Sequence, residues 1–131
     1  MLALPDGWVD RTVLTYVGPE SGRGSPSLVV TAEEAGEGME LERYAAMHDA
    51  GVRAGLEGVE VLDESRTDVA GRPAIRRTYA WSYGERSMRQ RMWCLLDAGI
   101  GYAIVASAAA EEFDGLEPVW ERALGSFAPM L

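Results

Sequence analysis

Residues 74–96 read AIRRTYAWSYGERSMRQRMWCLL, and this stretch decides the fold. Two runs rich in aromatic, Met and β-branched residues flank Gly84-Glu85, a Gly-X pair that suits a two-residue type II′ hairpin turn. With that turn, the numbers of facing residues sum to 169. Tyr83 then faces Arg86, Trp81 faces Met88, Tyr79 faces Gln90, Arg77 faces Met92 and Ile75 faces Cys94. Successive side chains of a strand point to opposite faces. One face therefore holds Ile75, Arg77, Tyr79, Trp81, Met88, Gln90, Met92, Cys94 and Leu96. The other holds Arg76, Thr78, Ala80, Arg89, Arg91, Trp93 and Leu95, with Arg76 across from Trp93 and placed for a cation–π pair.

Reading outward, Asp97-Ala98-Gly99 turns the chain into a strand over 100–108. On the other side, a strand over 59–67 and a turn over 69–73 lead into the hairpin. Four strands joined by short turns make an antiparallel meander. Further upstream, 8–17 and 27–32 read as strands joined by the Gly- and Pro-rich loop 18–26. The period then changes: Leu41, Ala45, His48, Val52 and Leu56 follow the spacing of an amphipathic helix over about 39–56. Glu40 and Glu42 suit the positive end of its dipole, and Gly55 and Gly58 supply the stop. A second helix starts at Asp114, where Asp114-x-x-Glu117 looks like a capping-box variant and Pro118 falls in the first turn. Its apolar stripe is Leu116, Trp120, Ala123, Leu124 and Phe127. The order β-β-α-β-β-β-β-α predicts one α+β domain over residues 1–131, with a central antiparallel sheet of about six strands and two main helices.

Composition narrows the chemistry. The chain has 131 residues, 47% hydrophobic and 25% charged, which fits one globular domain with its own core. All 12 basic residues are Arg, and the absence of Lys closes off Schiff-base and P-loop chemistry. A net charge of −9 argues against nucleic acid as a partner. The lone Cys94 and lone His48 leave a nucleophile without a convergent base and a zinc site without enough ligands. Gly22-Arg23-Gly24-Ser25 is too short for a phosphate loop. No catalytic residue, cofactor or metal site is assigned, and the chain is expected not to be an enzyme. Met1–Gly7 has no export signal and no apolar run reaches membrane-spanning length, so the expectation is a cytoplasmic protein without an integral membrane span.

Charge is unevenly spread. Residues 68–95 carry six Arg and two acids, half of all the Arg in a chain that is acidic elsewhere. This hairpin is therefore the candidate partner-binding region, with Tyr79, Trp81, Met88 and Met92 on its apolar face and Arg76, Arg89, Arg91 and Trp93 on its basic face. Two readings stay open for each face. The apolar one is either covered by the helices or open to a partner around which Met can repack. The basic one is either a solvated face balanced by neighbouring acids or a surface for an acidic partner or a second copy.

Several short motifs resemble the bacterial DcrB-related family. They are Leu4-Pro5-Asp6-Gly7-Trp8-x-Asp10, Ser27-Leu28-Val29-Val30, Met39-x-Leu41-x-x-Tyr44, Val69-x-Gly71-Arg72-Pro73-Ala74, and Phe113-Asp114-x-Leu116-Glu117-Pro118-Val119 with Ser126-Phe127. The resemblance implies a PsbP-like fold and no catalytic activity. It covers nearly the whole chain, although the short strand usual upstream of the Pro-x-Gly-Trp motif is missing or truncated. One branch of the family contains membrane-associated lipoproteins, and the missing lipobox Cys counts against it. Another contains the dimeric Eag-type chaperones of type VI secretion, which shield transmembrane helices of effectors on a sheet surface. The leading expectation is a non-catalytic protein-binding module, a chaperone or adaptor holding an apolar or transmembrane segment of a secreted effector, with a homodimer as a further option. The alternatives are a small-ligand or enzymatic pocket between sheet and helices, using His48 and the Arg cluster, or a purely structural dimer subunit.

Overall fold

In the computed structural model we describe residues 11–19 and 24–128, with the backbone alone for Arg11 and Thr12. The hairpin forms in the register that its turn dictates. Strand β4 (Arg72–Tyr83) pairs antiparallel with β5 (Arg86–Asp97), and Tyr83 faces Arg86, Trp81 faces Met88 and Ile75 faces Cys94. Gly84 takes φ 62°, the positive value that a type II′ turn needs at its first position.

The hairpin belongs to a six-stranded antiparallel sheet. Its other strands are β1 (Arg11–Val17), β2 (Ser27–Glu34), β3 (Glu60–Val69) and β6 (Ile100–Ala109), and the order across the sheet is β1-β2-β6-β5-β4-β3. The predicted strand over 8–10 lies outside the described residues. The turn before β4 is tighter than the sequence suggested: Ala70-Gly71 alone connects β3 to β4, and Pro73 is already in the strand. Ala98-Gly99 does the same between β5 and β6. Both turns have positive φ at both positions, and Ala70 and Ala98 each sit at φ 50°. An L-residue with a Cβ pays about 1 kcal/mol there, and Asn-Gly is the favoured pair. Ala98→Asn is expected to stabilise the fold by about 0.5–1 kcal/mol, read as a higher urea midpoint.

Both sheet faces are covered, each by one helical element. Helix α1 (Leu41–Gly55) packs Tyr44 and Ala45 against Ile75, Tyr79, Met92, Cys94 and Ala103. The opposite face carries Trp93, Leu95, Tyr102 and Ile104 beneath the C-terminal helices, which bring in Phe113, Leu116 and Trp120. Those helices depart from the expected single one. The chain passes from β6 directly into α2 (Ala110–Phe113), then a 3₁₀ turn (Asp114–Leu116), then α3 (Glu117–Gly125). Pro118, in the first turn of α3, has no N–H to carry an α-helical ladder through from the preceding turn, so the helix restarts there. The predicted capping box does not form. Asp114 opens the 3₁₀ turn and Glu117 reaches across to Arg91.

A polar cluster pins α1 to the sheet. The Tyr79 hydroxyl donates to Asp49 Oδ1 at 2.7 Å, and Arg53 Nε donates to Oδ2 at 2.9 Å. Arg77 donates to the Ala45 carbonyl at 3.0 Å and pairs with Glu64 at 3.2 Å. Burial works against ionisation of Asp49, but the bonds from Tyr79 and Arg53 outweigh it and hold its carboxyl below the ordinary 3.8. The unfolded chain therefore takes up this proton more readily than the folded one. Stability from Asp49 is fully present above the ordinary carboxylate range and is lost as pH falls through the lower folded value. Asp49→Asn is expected to flatten that acid limb, measured by urea midpoints from neutral pH to about pH 2.

Candidate functional site

The eight hairpin residues singled out in the sequence divide between the two sheet faces, so no single surface presents them all. On the α1 face, Tyr79 and Met92 are fully buried beneath the helix, while Trp81 and Met88 are half-buried. On the other face, Trp93 is core and Arg91 is buried, while Arg76 and Arg89 are half-buried. Tyr79, Met92, Arg91 and Trp93 are thus removed from the accessible surface. The physical reason is that each sheet face has its own helix.

Arg91 shows how a charge enters the core. Its Nε donates to Thr78 Oγ1 at 2.9 Å, its Nη1 donates to both Glu117 carboxylate oxygens at 2.7 Å, and its guanidinium lies 5.1 Å from the Phe113 ring centroid. Arg76 faces Trp93 in register as expected. Its guanidinium points instead toward Asp63, 3.8 Å away, and the cation–π contacts fall at Arg91 over Phe113 and Arg72 over Phe127.

His48 lies on the α1 side, so it is on the opposite sheet face from Arg76, Arg89 and Arg91. Arg77 shares the α1 face with His48, but the residues lining the recess beside His48 include no Arg of the hairpin. The half-buried His48 Nε2 is 3.1 Å from Glu33 Oε1, which also accepts the Tyr44 hydroxyl at 3.2 Å. The hydrogen-bond partner of His48 is thus a carboxylate on β2. The neighbouring recess is open and about 260 Å³. Cys94 is fully buried, and burial pushes its thiol up to about 12, which leaves it protonated at neutral pH.

A larger opening lies elsewhere. A groove of about 680 Å³ runs between the β1–β2 edge of the sheet and α3. Leu14 and Tyr16 come from β1, Leu28 from β2, Val119 and Trp120 from α3, and Phe127 from the segment after it. None of the lining residues is charged, although a quarter of the chain is. The volume falls in the range of about 300–1,000 Å³ usual for ligand sites. Tyr16 and Val119 are each more than half exposed across this opening. Sequence reading missed the groove. The available signal was the uncharged run 12–17, which has apolar residues at both parities where a half-buried strand would alternate.

The six-stranded antiparallel sheet with α1 on one face and the C-terminal helices on the other is a PsbP-like fold. Cyanobacterial PsbP (CyanoP) from Synechocystis matches with a TM-score of 0.56 at 16% identity, over 95% of this chain and 83% of that one. LpqN of Mycobacterium tuberculosis, involved in cell envelope biogenesis, gives 0.54 at 14% identity over 88% and 82%. PA94 of Pseudomonas aeruginosa, a protein of unknown function, gives 0.79 at 19% identity over 99% and 91%. At such identities the likeness is one of fold. The DcrB family model matches residues 1–126, and the chain belongs to the DcrB family. Among curated proteins none matches the sequence.

Proposed function

We propose that this DcrB-family chain is a non-catalytic protein-binding module that shields an apolar segment of a partner, as a chaperone or adaptor does. The observation carrying this reading is the uncharged groove between β1–β2 and α3. An apolar helix laid there would remove Tyr16 and Val119 from water, and burial of apolar surface is the main source of affinity for such segments. The Eag-type branch of the family shields transmembrane helices of effectors, and by that analogy the proposed occupant is a transmembrane helix of a secreted effector, met in the cytoplasm before export. The state of the two reactive side chains supports a non-catalytic role, since His48 is held by Glu33 and Cys94 is buried and protonated. Among the described residues no helix is long and apolar enough to cross a membrane.

A fluorescently labelled, Leu/Ala-rich helical peptide with Lys-tagged ends tests the reading by anisotropy. Binding in the micromolar range or tighter is expected for the unaltered chain. Val119→Asp places a carboxylate in the groove and is expected to weaken binding by about tenfold to a hundredfold. Trp81→Ala is expected to leave binding unchanged. Absence of binding, equal loss in Trp81→Ala, or binding of free dodecanoate but not of the peptide would each overturn it.

A further inference from the structure

Helix α3 carries three charged side chains, and they leave it on different sides. Glu117 reaches across to Arg91 on β5, and Glu121, four residues on, follows it on the same side of the helix. Arg122 lies on the other side. Val119 precedes it by three residues and Ser126 follows it by four, and both line the groove. The β5 side of α3 is therefore acidic, while its groove side shows one charge, which is positive. Arg53, Arg66, Arg72, Arg76, Arg77 and Arg91 each have a carboxylate partner. Arg122 is exposed, and among the described residues no carboxylate pairs with it, in a chain of net charge −9.

Building on the groove as the binding site, we infer that Arg122 selects its occupant: an apolar helix with an acidic residue in its first turn, laid antiparallel to α3. A carboxylate in the first turn suits the positive end of the occupant's own dipole. Arg122 stands in the last turn of α3. Both conditions are met together when the start of the occupant lies beside the end of α3. A carboxylate in the occupant's last turn would face the negative end of its own dipole and lie a helix length from Arg122. The guanidinium matches a carboxylate with two parallel N–H donors. The occupant also displaces water from Val119, one turn away, which strengthens the pair over a fully solvated one. Along the rest of the groove the lining is uncharged. Apolar burial thus supplies the affinity, and Arg122 supplies the direction.

Two Leu/Ala-rich peptides of identical composition, with blocked ends, test this by anisotropy. One has Glu in its first turn and Lys in its last, and the other has the two exchanged. The quantity read is the ratio of their dissociation constants on the unaltered chain, on Arg122→Gln and on Arg122→Glu. The intrinsic helicity of the peptides cancels, because the same pair meets each chain. The preference for the Glu-first peptide is expected to fall about twofold to fivefold in Arg122→Gln and further in Arg122→Glu. The difference between the chains is expected to fade in about 1 M salt. Arg122 also suits the negative end of the α3 dipole, and thermal melts of the variants read that contribution separately. A ratio that neither substitution changes would overturn the inference and leave the groove in place. Binding of neither peptide to the unaltered chain would reject the groove reading, and this inference with it.

Discussion

Gly101→Ala is expected to lower stability by about 2–3 kcal/mol, out of proportion to one methyl group. Gly101 lies on β6 directly beneath the Tyr44 ring, and a Cβ there would meet Tyr44 Cζ, Cε1 and the hydroxyl oxygen at under 3.0 Å. The ring has little room to retreat. It is almost completely buried, its hydroxyl donates to Glu33, and its edge packs on His48 with centroids 4.7 Å apart. Accommodating the methyl would displace α1 from the sheet or break the Tyr44–Glu33–His48 contacts. Tyr44→Ala should itself cost about 3–4 kcal/mol through the cavity it leaves. The double variant should cost little more than Tyr44→Ala alone, because the clash is then absent. Urea titration of the four proteins measures this directly. A loss below about 0.5 kcal/mol for Gly101→Ala would contradict the close approach.

Glu117→Gln is expected to cost more than Arg91→Met, although each removes one partner of the same pair. The Arg91 side chain is 11% exposed and that of Glu117 is 36%. When Arg91 is replaced, the Glu117 carboxylate can turn to water, and Met fills much of the space left by the Arg stem. When Glu117 loses its charge, the guanidinium stays in the interior with only Thr78 and the Phe113 ring beside it. The expected losses are about 2–3 kcal/mol for Glu117→Gln and about 1 kcal/mol for Arg91→Met. Combining Arg91→Met with Glu117→Gln should recover part of the Glu117→Gln loss, since no buried charge then lacks its partner. Equal losses in the two single variants would show that burial is shared evenly between the partners.

The hairpin was legible because Gly84-Glu85 fixes the parity of every facing pair once it is read as a two-residue turn. The strand order within the meander followed from the short turns beside it. What the sequence could not convey was placement across the sheet. The stripe of α1 identifies a helix with one buried side, but not the sheet face it covers, so Tyr79 and Met92 could be read equally as surface or core. Arg91 looked like surface because its burial depends on Glu117, 26 residues away. Tyr44 fell outside the stripe read for α1. Yet Gly101, inside a strand pattern, carried the signal of a close backbone approach that would have located it. The groove depends on non-local pairing: β2 joins β6 and leaves β1 at the edge, and only then do Leu14, Tyr16 and Val119 border one opening.

An amide chemical-shift map of the full chain, recorded as the Lys-tagged apolar helix is added, tests the placement of the binding site most directly. Perturbations are expected to concentrate on Leu14–Val17, on Leu28, and on the Val119–Leu124 side of α3. Perturbations centred on Trp81 and Met88, or none at saturating peptide, would contradict a partner held between the β1–β2 edge and α3.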